Sequence, residues 1–118
     1  IQSHFERLDL DAPNLVQGFS QDKHVQDIVK SVSWDLIYVD GSHDLEVVHQ
    51  DVSLARQVLR PGGILVMDDS SLFSSFDPPG FAFKGHPGPS SVASNAHSMR
   101  NLTLIGTCGH NRVFQLEP

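Results

Sequence analysis

Between Trp34 and Asp69 the chain switches from an unbroken apolar run to a helical periodicity and back again. Leu36-Ile37-Tyr38-Val39 is rich in β-branched and aromatic residues and ends at Asp40, a pattern that predicts a strand buried on both faces. Gly41-Ser42 then turns the chain. From Asp44 to Arg60 the apolar positions are Leu45, Val48, Val52, Ala55 and Leu59, whose spacings of three and four predict one apolar face on a helix. Asp44 and Glu46 fall in its first turn and Arg56 and Arg60 in its last, both favourable to the helix dipole. Pro61-Gly62-Gly63 stops that helix, and Ile64-Leu65-Val66-Met67 predicts a second buried strand ending at Asp68-Asp69. The whole is a strand–helix–strand unit of about 30 residues. Right-handed crossover makes its strands parallel and brings both acidic ends to one sheet edge. Ligands of open α/β sheets bind outside the carboxyl ends of the strands, so Asp40, Asp68 and Asp69 arrive where chemistry is done.

The flanking patterns are weaker. Leu15-Val16-Gln17-Gly18 predicts a short strand, and residues 21–31 a helix with Val25, Ile28 and Val29 as its apolar face. Residues 1–14 are at most weakly helical. Residues 70–90 form a long loop rich in Pro, Gly and Ser, and such loops are functional or disordered. Its phenylalanines Phe73, Phe76, Phe81 and Phe83 argue for a local hydrophobic cluster, with a substrate lid as the sharper alternative. Residues 90–100 predict a helix with Val92, Ala93 and Ala96 facing inward. Residues 102–105 and 112–116 then predict a closing antiparallel hairpin with Gly106 and Gly109 marking its turn.

Composition narrows the function classes. The 118 residues suffice for one domain with a modest core, and 39% apolar with 19% charged residues is ordinary globular composition. Fourteen acids against eight bases give a formal net charge of -6, and no run of Lys or Arg forms a phosphate-binding stripe; nucleic acid is not an expected partner. No apolar run approaches the length of a membrane span, so no membrane association is expected. The single cysteine, Cys108, excludes an internal disulfide and fits a reducing, cytoplasmic setting. It has no basic neighbour to activate it. The chain opens on Ile1 rather than Met, as expected of a fragment, a processed product or an incomplete record.

Three carboxylates meeting at one sheet edge repel unless a cation or shared protons relieve them. Such hard oxygen donors suit Mg²⁺, Ca²⁺ or Mn²⁺. His43, three residues past Asp40, has the ordinary histidine affinity for protons that suits a general base near neutral pH. Each feature has a plainer reading. Asp40 could end its strand and cap the following helix, Asp68-Asp69 could be a solvated turn, and His43 could be an N-terminal helix residue. His49 falls on the exposed helix side, and His86 lies in the long loop, from which it could reach the site.

Trp34-Asp35-Leu36-Ile37-Tyr38-Val39-Asp40-Gly41-Ser42-His43 resembles the fourth-strand motif of class I S-adenosylmethionine-dependent methyltransferases, in the form whose strand ends Asp-Gly-x-His. Leu59-Arg60-Pro61-Gly62-Gly63-Ile64-Leu65-Val66 is similar to that family's entry to strand five. Asn14-Leu15-Val16-Gln17-Gly18-Phe19-Ser20 resembles the strand-three segment beside the adenine, and the terminal hairpin resembles strands six and seven. The resemblance implies an α/β fold, a partial Rossmann-like methyltransferase sandwich with a mixed sheet and a C-terminal antiparallel hairpin. It implies S-adenosylmethionine as cofactor, contacted by Gly18, Phe19, Ser20, Asp40 and Gly41, with Phe19-Ser20 as an ordinary turn the alternative.

The metal-dependent O-methyltransferases of this family place acids at the positions of Asp40, Asp68 and Asp69. The resemblance therefore implies Mg²⁺ or another divalent cation on those residues, a small hydroxylated substrate, and His43 as the base. The family's sheet has seven strands, and this chain offers candidates for strands three to seven. The glycine-rich cofactor loop has no counterpart in these residues, so residues 1–118 are expected to form a single, N-terminally truncated methyltransferase-like domain. The uncovered edge of the strand ending at Asp40 predicts a homo-oligomer or a covering segment. Two other functions compete. One is a non-catalytic, degenerate domain serving as an assembly module. The other is a phosphoacceptor with a strand-end Asp as nucleophile, which needs a lysine after a later strand; Lys84 sits in the loop and no lysine follows it.

Overall fold

The computed structural model describes residues 2–75 and 83–118. Its elements run α1 (Gln2–Arg7), α2 (Lys23–Val29), β1 (Trp34–Val39), α3 (Leu45–Val58), β2 (Leu59–Met67), α4 (Pro87–Ser94), β3 (Leu102–Cys108) and β4 (Asn111–Leu116). Among the described residues the strands form one mixed sheet in the order β1-β2-β4-β3. β1 and β2 are parallel, with Leu36 opposite Ile64 and Val39 opposite Met67. β4 runs antiparallel to both of its neighbours. This is the α/β architecture expected from the strand–helix–strand unit and the hairpin.

The core forms where α3 and α4 cover the sheet. Val48, Val52 and Ala55 of α3 meet Leu65 and Met67 of β2, Val92 and Ala93 of α4, Met99 and Phe114. Leu65 is fully inaccessible and Met67 nearly so. Central β2 thus directs alternate side chains into the core. Arg112 ties the layers together: its guanidinium donates to the Ala93 carbonyl and the Ser94 hydroxyl at the end of α4.

Several sequence expectations change. Residues 15–18 form no strand, and Leu15 and Phe19 are exposed, because nothing pairs with that segment among the described residues. β1 is not buried on both faces. Ile37 and Val39 pack against the core, whereas Leu36 and Tyr38 are about half exposed. The reason is the alternation of side chains along the strand: α3 and α4 cover the face that takes Ile37 and Val39, and Leu36 and Tyr38 point to the opposite one. Leu45 also faces solvent, since the helix begins there and its buried stripe is Val48, Val52, Ala55 and Val58. α3 ends at Val58, before Pro61, and the chain enters β2 through Pro61-Gly62-Gly63 in strand conformation. α4 starts at Pro87 rather than at Ser90 and ends at Ser94, which leaves Ala96 exposed. Proline suits that first helical position, where its missing N–H costs nothing. Gly106 lies within β3 at a register shift; the hairpin turns at Gly109-His110, where Gly109 takes a φ of +60°. Phe76 and Phe81 lie outside the described residues; Phe73 and Phe83 are exposed. No helix among the described residues is long and apolar enough to cross a membrane.

Candidate functional site

The site begins with the turn that follows β2. Asp69 is held at φ +50°, a left-handed backbone that non-glycine residues rarely adopt. Three chain segments hold it there. The His86 amide donates to the Asp69 carbonyl at 2.8 Å and the Ser90 hydroxyl donates to it at 3.2 Å. Next to it, the Ser70 amide donates to the His110 carbonyl at 2.9 Å. The Ser70 hydroxyl, completely buried, donates to the Met67 carbonyl at 2.7 Å and accepts from the Arg112 amide at 3.1 Å. Strained backbone persists where its surroundings over-determine it, and it concentrates at working sites. Gly85 belongs to this clasp: at φ +126°, a Cβ there would lie 2.1 Å from the Asp69 carbonyl oxygen.

The clasp brings three histidines to two carboxylates. His43 Nε2 lies 2.9 Å from Asp69 Oδ2, and His86 Nε2 is 3.8 Å from the same oxygen. His110 Nε2 lies 3.1 Å from Asp68 Oδ1 and 3.8 Å from Asp69 Oδ1. The carboxylates are largely buried, with side-chain exposures of 13% for Asp69 and 15% for Asp68, while each histidine keeps over 40% of its side chain exposed. The His43 and His86 rings stack at a centroid distance of 3.7 Å. Phe83 meets His86 edge-on and lies tilted against His110.

Asp40 approaches from β1. The neighbouring Asp68 carboxylate, aided by desolvation, raises its pKa from the ordinary carboxylate value. The plainer role for Asp40, capping α3, belongs instead to Asp44, whose carboxylate accepts from the Glu46 and Val47 amides. Tyr38 donates its hydroxyl to Asp68 Oδ1 at 3.0 Å and accepts from the Asn111 side-chain amide. Desolvation first, then the Asp68 hydrogen bond, raises the Tyr38 pKa.

The predicted acids therefore do converge, although not as a bare trio. Asp40 meets Asp68, whereas Asp68 and Asp69 also belong to two groups with histidine nitrogens: His43, Asp69 and His86, and Asp68, Asp69 and His110. Within each group one donor atom per residue lies within 4.8 Å of the others. That mixture of carboxylate oxygen and imidazole nitrogen is a donor set that a divalent transition cation can use. His110 is the residue that sequence reasoning missed. It follows Gly109 in a hairpin turn, and only the β2–β4 pairing brings that turn to the end of β2. His49 is exposed, as its helix position predicted, and Cys108 is exposed too. Lys84 donates to the Ser74 carbonyl.

Beside this crevice lies a cavity of about 600 Å³, within the range that holds a drug-sized ligand. Gly18, Phe19, Ser20, Asp40 and Gly41 all line it, although they come from segments far apart in the chain. Gly18 itself has little room for a side chain, since a Cβ there would lie 2.8 Å from His24 and Val25. Asp40, Gly41 and Ser42 line the acidic crevice as well as the cavity. A family profile described as a methyltransferase domain matches residues 4–70. The chain belongs to this methyltransferase family. The match spans α1 to the Asp69-Ser70 turn and so includes every residue expected to contact cofactor, cation or acceptor proton. Methyl transfer is accordingly the chemistry of this methyltransferase domain, and S-adenosylmethionine the methyl donor that its family implies. A comparison with curated proteins finds no match.

Proposed function

We propose that this methyltransferase transfers the methyl group of S-adenosylmethionine to a hydroxyl of a small molecule, with help from a divalent cation. The observation that carries the reading is the shared wall. Asp40-Gly41-Ser42 borders both the 600 Å³ cavity and the crevice holding His43, Asp68 and Asp69. A cofactor in the cavity and a hydroxyl in the crevice would thus be neighbours, the arrangement that in-line transfer between bound partners needs.

Gly18, Phe19, Ser20, Asp40 and Gly41 would hold the cofactor, which supplies an electrophilic methyl group. Asp40, Asp68 and Asp69 would hold Mg²⁺ or a similar cation, which lowers the pKa of a coordinated hydroxyl. His43 would take the hydroxyl proton. With its Nε2 proton directed at Asp69 Oδ2, the ring is fixed in one tautomer and Nδ1 is left as the acceptor. The half-exposed ring can meet a substrate from solvent. Tyr38 and His110 steady Asp68, so the carboxylates stay aimed into the crevice.

The test is transfer of labelled methyl to a panel of catechols and vicinal diols, with Mg²⁺ or Mn²⁺ and with a chelator. His43→Ala should slow transfer roughly 100-fold to 10,000-fold, the usual contribution of a general base. It should leave binding of S-adenosylhomocysteine unchanged. Full activity of His43→Ala would remove the base assignment, full activity in chelator would remove the cation, and transfer to no hydroxylated acceptor would sink the reaction itself.

A further inference from the structure

Asp69 turns its two oxygens toward different partners. Oδ1 lies 3.8 Å from His110 Nε2, on the side of Asp68. Oδ2 faces His43 Nε2 at 2.9 Å and His86 Nε2 at 3.8 Å. The first contact is a hydrogen bond and the second is too long for one, so His86 brings a nitrogen to Asp69 without bonding it. Other contacts place that ring. The His86 backbone amide donates to the Asp69 carbonyl at 2.8 Å, which fixes the residue beside the turn. Its ring stacks on His43 at 3.7 Å and meets Phe83 edge-on at 5.1 Å. The His43 backbone is itself packed against Gly88 in the first turn of α4. Two imidazole nitrogens and one carboxylate oxygen thus converge from three separate segments, all within 4.8 Å of one another.

We propose that His43, His86 and Asp69 Oδ2 form a second cation site, selective for a transition cation such as Zn²⁺, and that its occupation switches off His43 as the base. Zinc bonds of about 2.0–2.1 Å to nitrogen and oxygen set tetrahedral donors about 3.3 Å apart. The observed 2.9 and 3.8 Å bracket that spacing, so small side-chain movements close the site. Two histidines and one carboxylate leave a fourth position for water or another ligand. Both rings keep over 40% of their side chain exposed, which gives the cation a way in. Imidazole nitrogen suits Zn²⁺, Cu²⁺, Fe²⁺ or Ni²⁺, whereas Mg²⁺ wants oxygen, so the two kinds of cation sort to different ends of Asp69. The switch rests on His43 as the base of the proposed methyl transfer; the site itself does not. A cation on Nε2 uses that nitrogen's lone pair, so the single proton of the neutral ring moves to Nδ1. Nδ1 then donates rather than accepts, and it can no longer take a proton from a hydroxyl.

The experiment is titration of the native chain, free of any histidine tag, with Co²⁺, whose visible absorption bands report a zinc-type site. A single Co²⁺ should bind in the micromolar range, Zn²⁺ should displace it, and millimolar Mg²⁺ should not. His86→Ala should weaken binding roughly tenfold or more, since even an outer partner of a metal ligand is worth about 10–100-fold. His86→Gln should do the same while keeping a polar side chain of similar bulk. His49→Ala, which removes an exposed histidine elsewhere on α3, should leave binding unchanged. In the methyl-transfer assay with Mg²⁺, Zn²⁺ should inhibit the native chain. His86→Ala should keep the uninhibited rate and resist Zn²⁺. Co²⁺ binding that is equally tight in both His86 variants, or that Mg²⁺ displaces, overturns the site. Tight binding through His86 with transfer untouched by Zn²⁺ overturns the switch. A native chain that methylates no acceptor would sink the proposed reaction, and the Co²⁺ titration would still decide the site.

Discussion

Ser70 and Ser71 are adjacent, both completely buried, and chemically identical, yet the structure predicts opposite consequences for removing their hydroxyls. The Ser70 hydroxyl bridges the Met67 carbonyl and the Arg112 amide, which belong to facing strands β2 and β4. Ser70→Ala deletes one donor and one acceptor and strands their backbone partners in a dry environment. Leaving a buried polar group unpaired costs about 1–3 kcal/mol. For a domain of this size each kcal/mol lowers Tm by roughly 4 °C or more, so a fall of about 4–12 °C is expected. The Ser71 hydroxyl has no hydrogen-bond partner among the described residues. Ser71→Ala removes a desolvated polar atom and should be neutral or raise Tm slightly. Thermal unfolding followed by circular dichroism reads both variants. A second readout is specific to the site. Ser70 adjoins Asp69, so Ser70→Ala should also weaken cation-dependent methyl transfer, and Ser71→Ala should not. Equal Tm values for the two variants, or a larger loss for Ser71→Ala, would refute the reasoning.

Gly88→Ala would place a Cβ 2.0 Å from the His43 carbonyl oxygen, so backbone must move; a loss of roughly 1–3 kcal/mol, typical of overpacking, and reduced transfer are expected in unfolding and activity assays. Asp51→Asn should stabilise the chain at neutral pH. Burial raises the folded-state pKa of Asp51, so the folded state holds more protons than the unfolded one between the unfolded value, about 3.9, and the raised value. Native stability therefore falls as pH rises through that window, and the Tm advantage of Asp51→Asn should be present at pH 7 and vanish near pH 4. The open edge of β1, with half-exposed Leu36 and Tyr38, should drive self-association, seen in sedimentation as a concentration-dependent mass that Leu36→Lys shifts to the monomer.

The strand–helix–strand unit was readable because its signals agreed. The apolar runs, the three-and-four spacing and the Pro-Gly-Gly stop all pointed one way, and the strand ends carried the acids with them. Leu15 to Gly18 misled because a short apolar run carries no record of whether a neighbour exists to pair with it. Leu36 and Tyr38 misled for a related reason: their residue types match a covered strand, and exposure depends on what covers that face of the sheet. At the site, Asp40, His43, Asp68 and Asp69 were legible from strand-end positions. His110 was not, because its hairpin turn reaches the acids only through the antiparallel register of β4 on β2. His86 was in view but unplaced, since Gly85 and the strained Asp69 turn, rather than any periodicity, decide where it points. Asp44 shows the same limit on a smaller scale: charge in a first turn was evident, but only geometry separates a cap from a dipole partner.

The turn at Asp69 is fastened by residues that the chain supplies long after it, from Gly85, His86, Ser90 and His110. β1, α3 and β2 can meet through local crossover, but the left-handed turn has no reason to persist until those later segments close over it. Closing such loops costs entropy before any contact rewards it. The acidic crevice should thus be the last part of the molecule to acquire its shape during folding and the first to lose it under stress. A chain emerging from synthesis would carry all the residues that match the family, 4–70, and still have no working crevice. Order at Asp69 is in that sense a certificate that the rest of the chain has arrived.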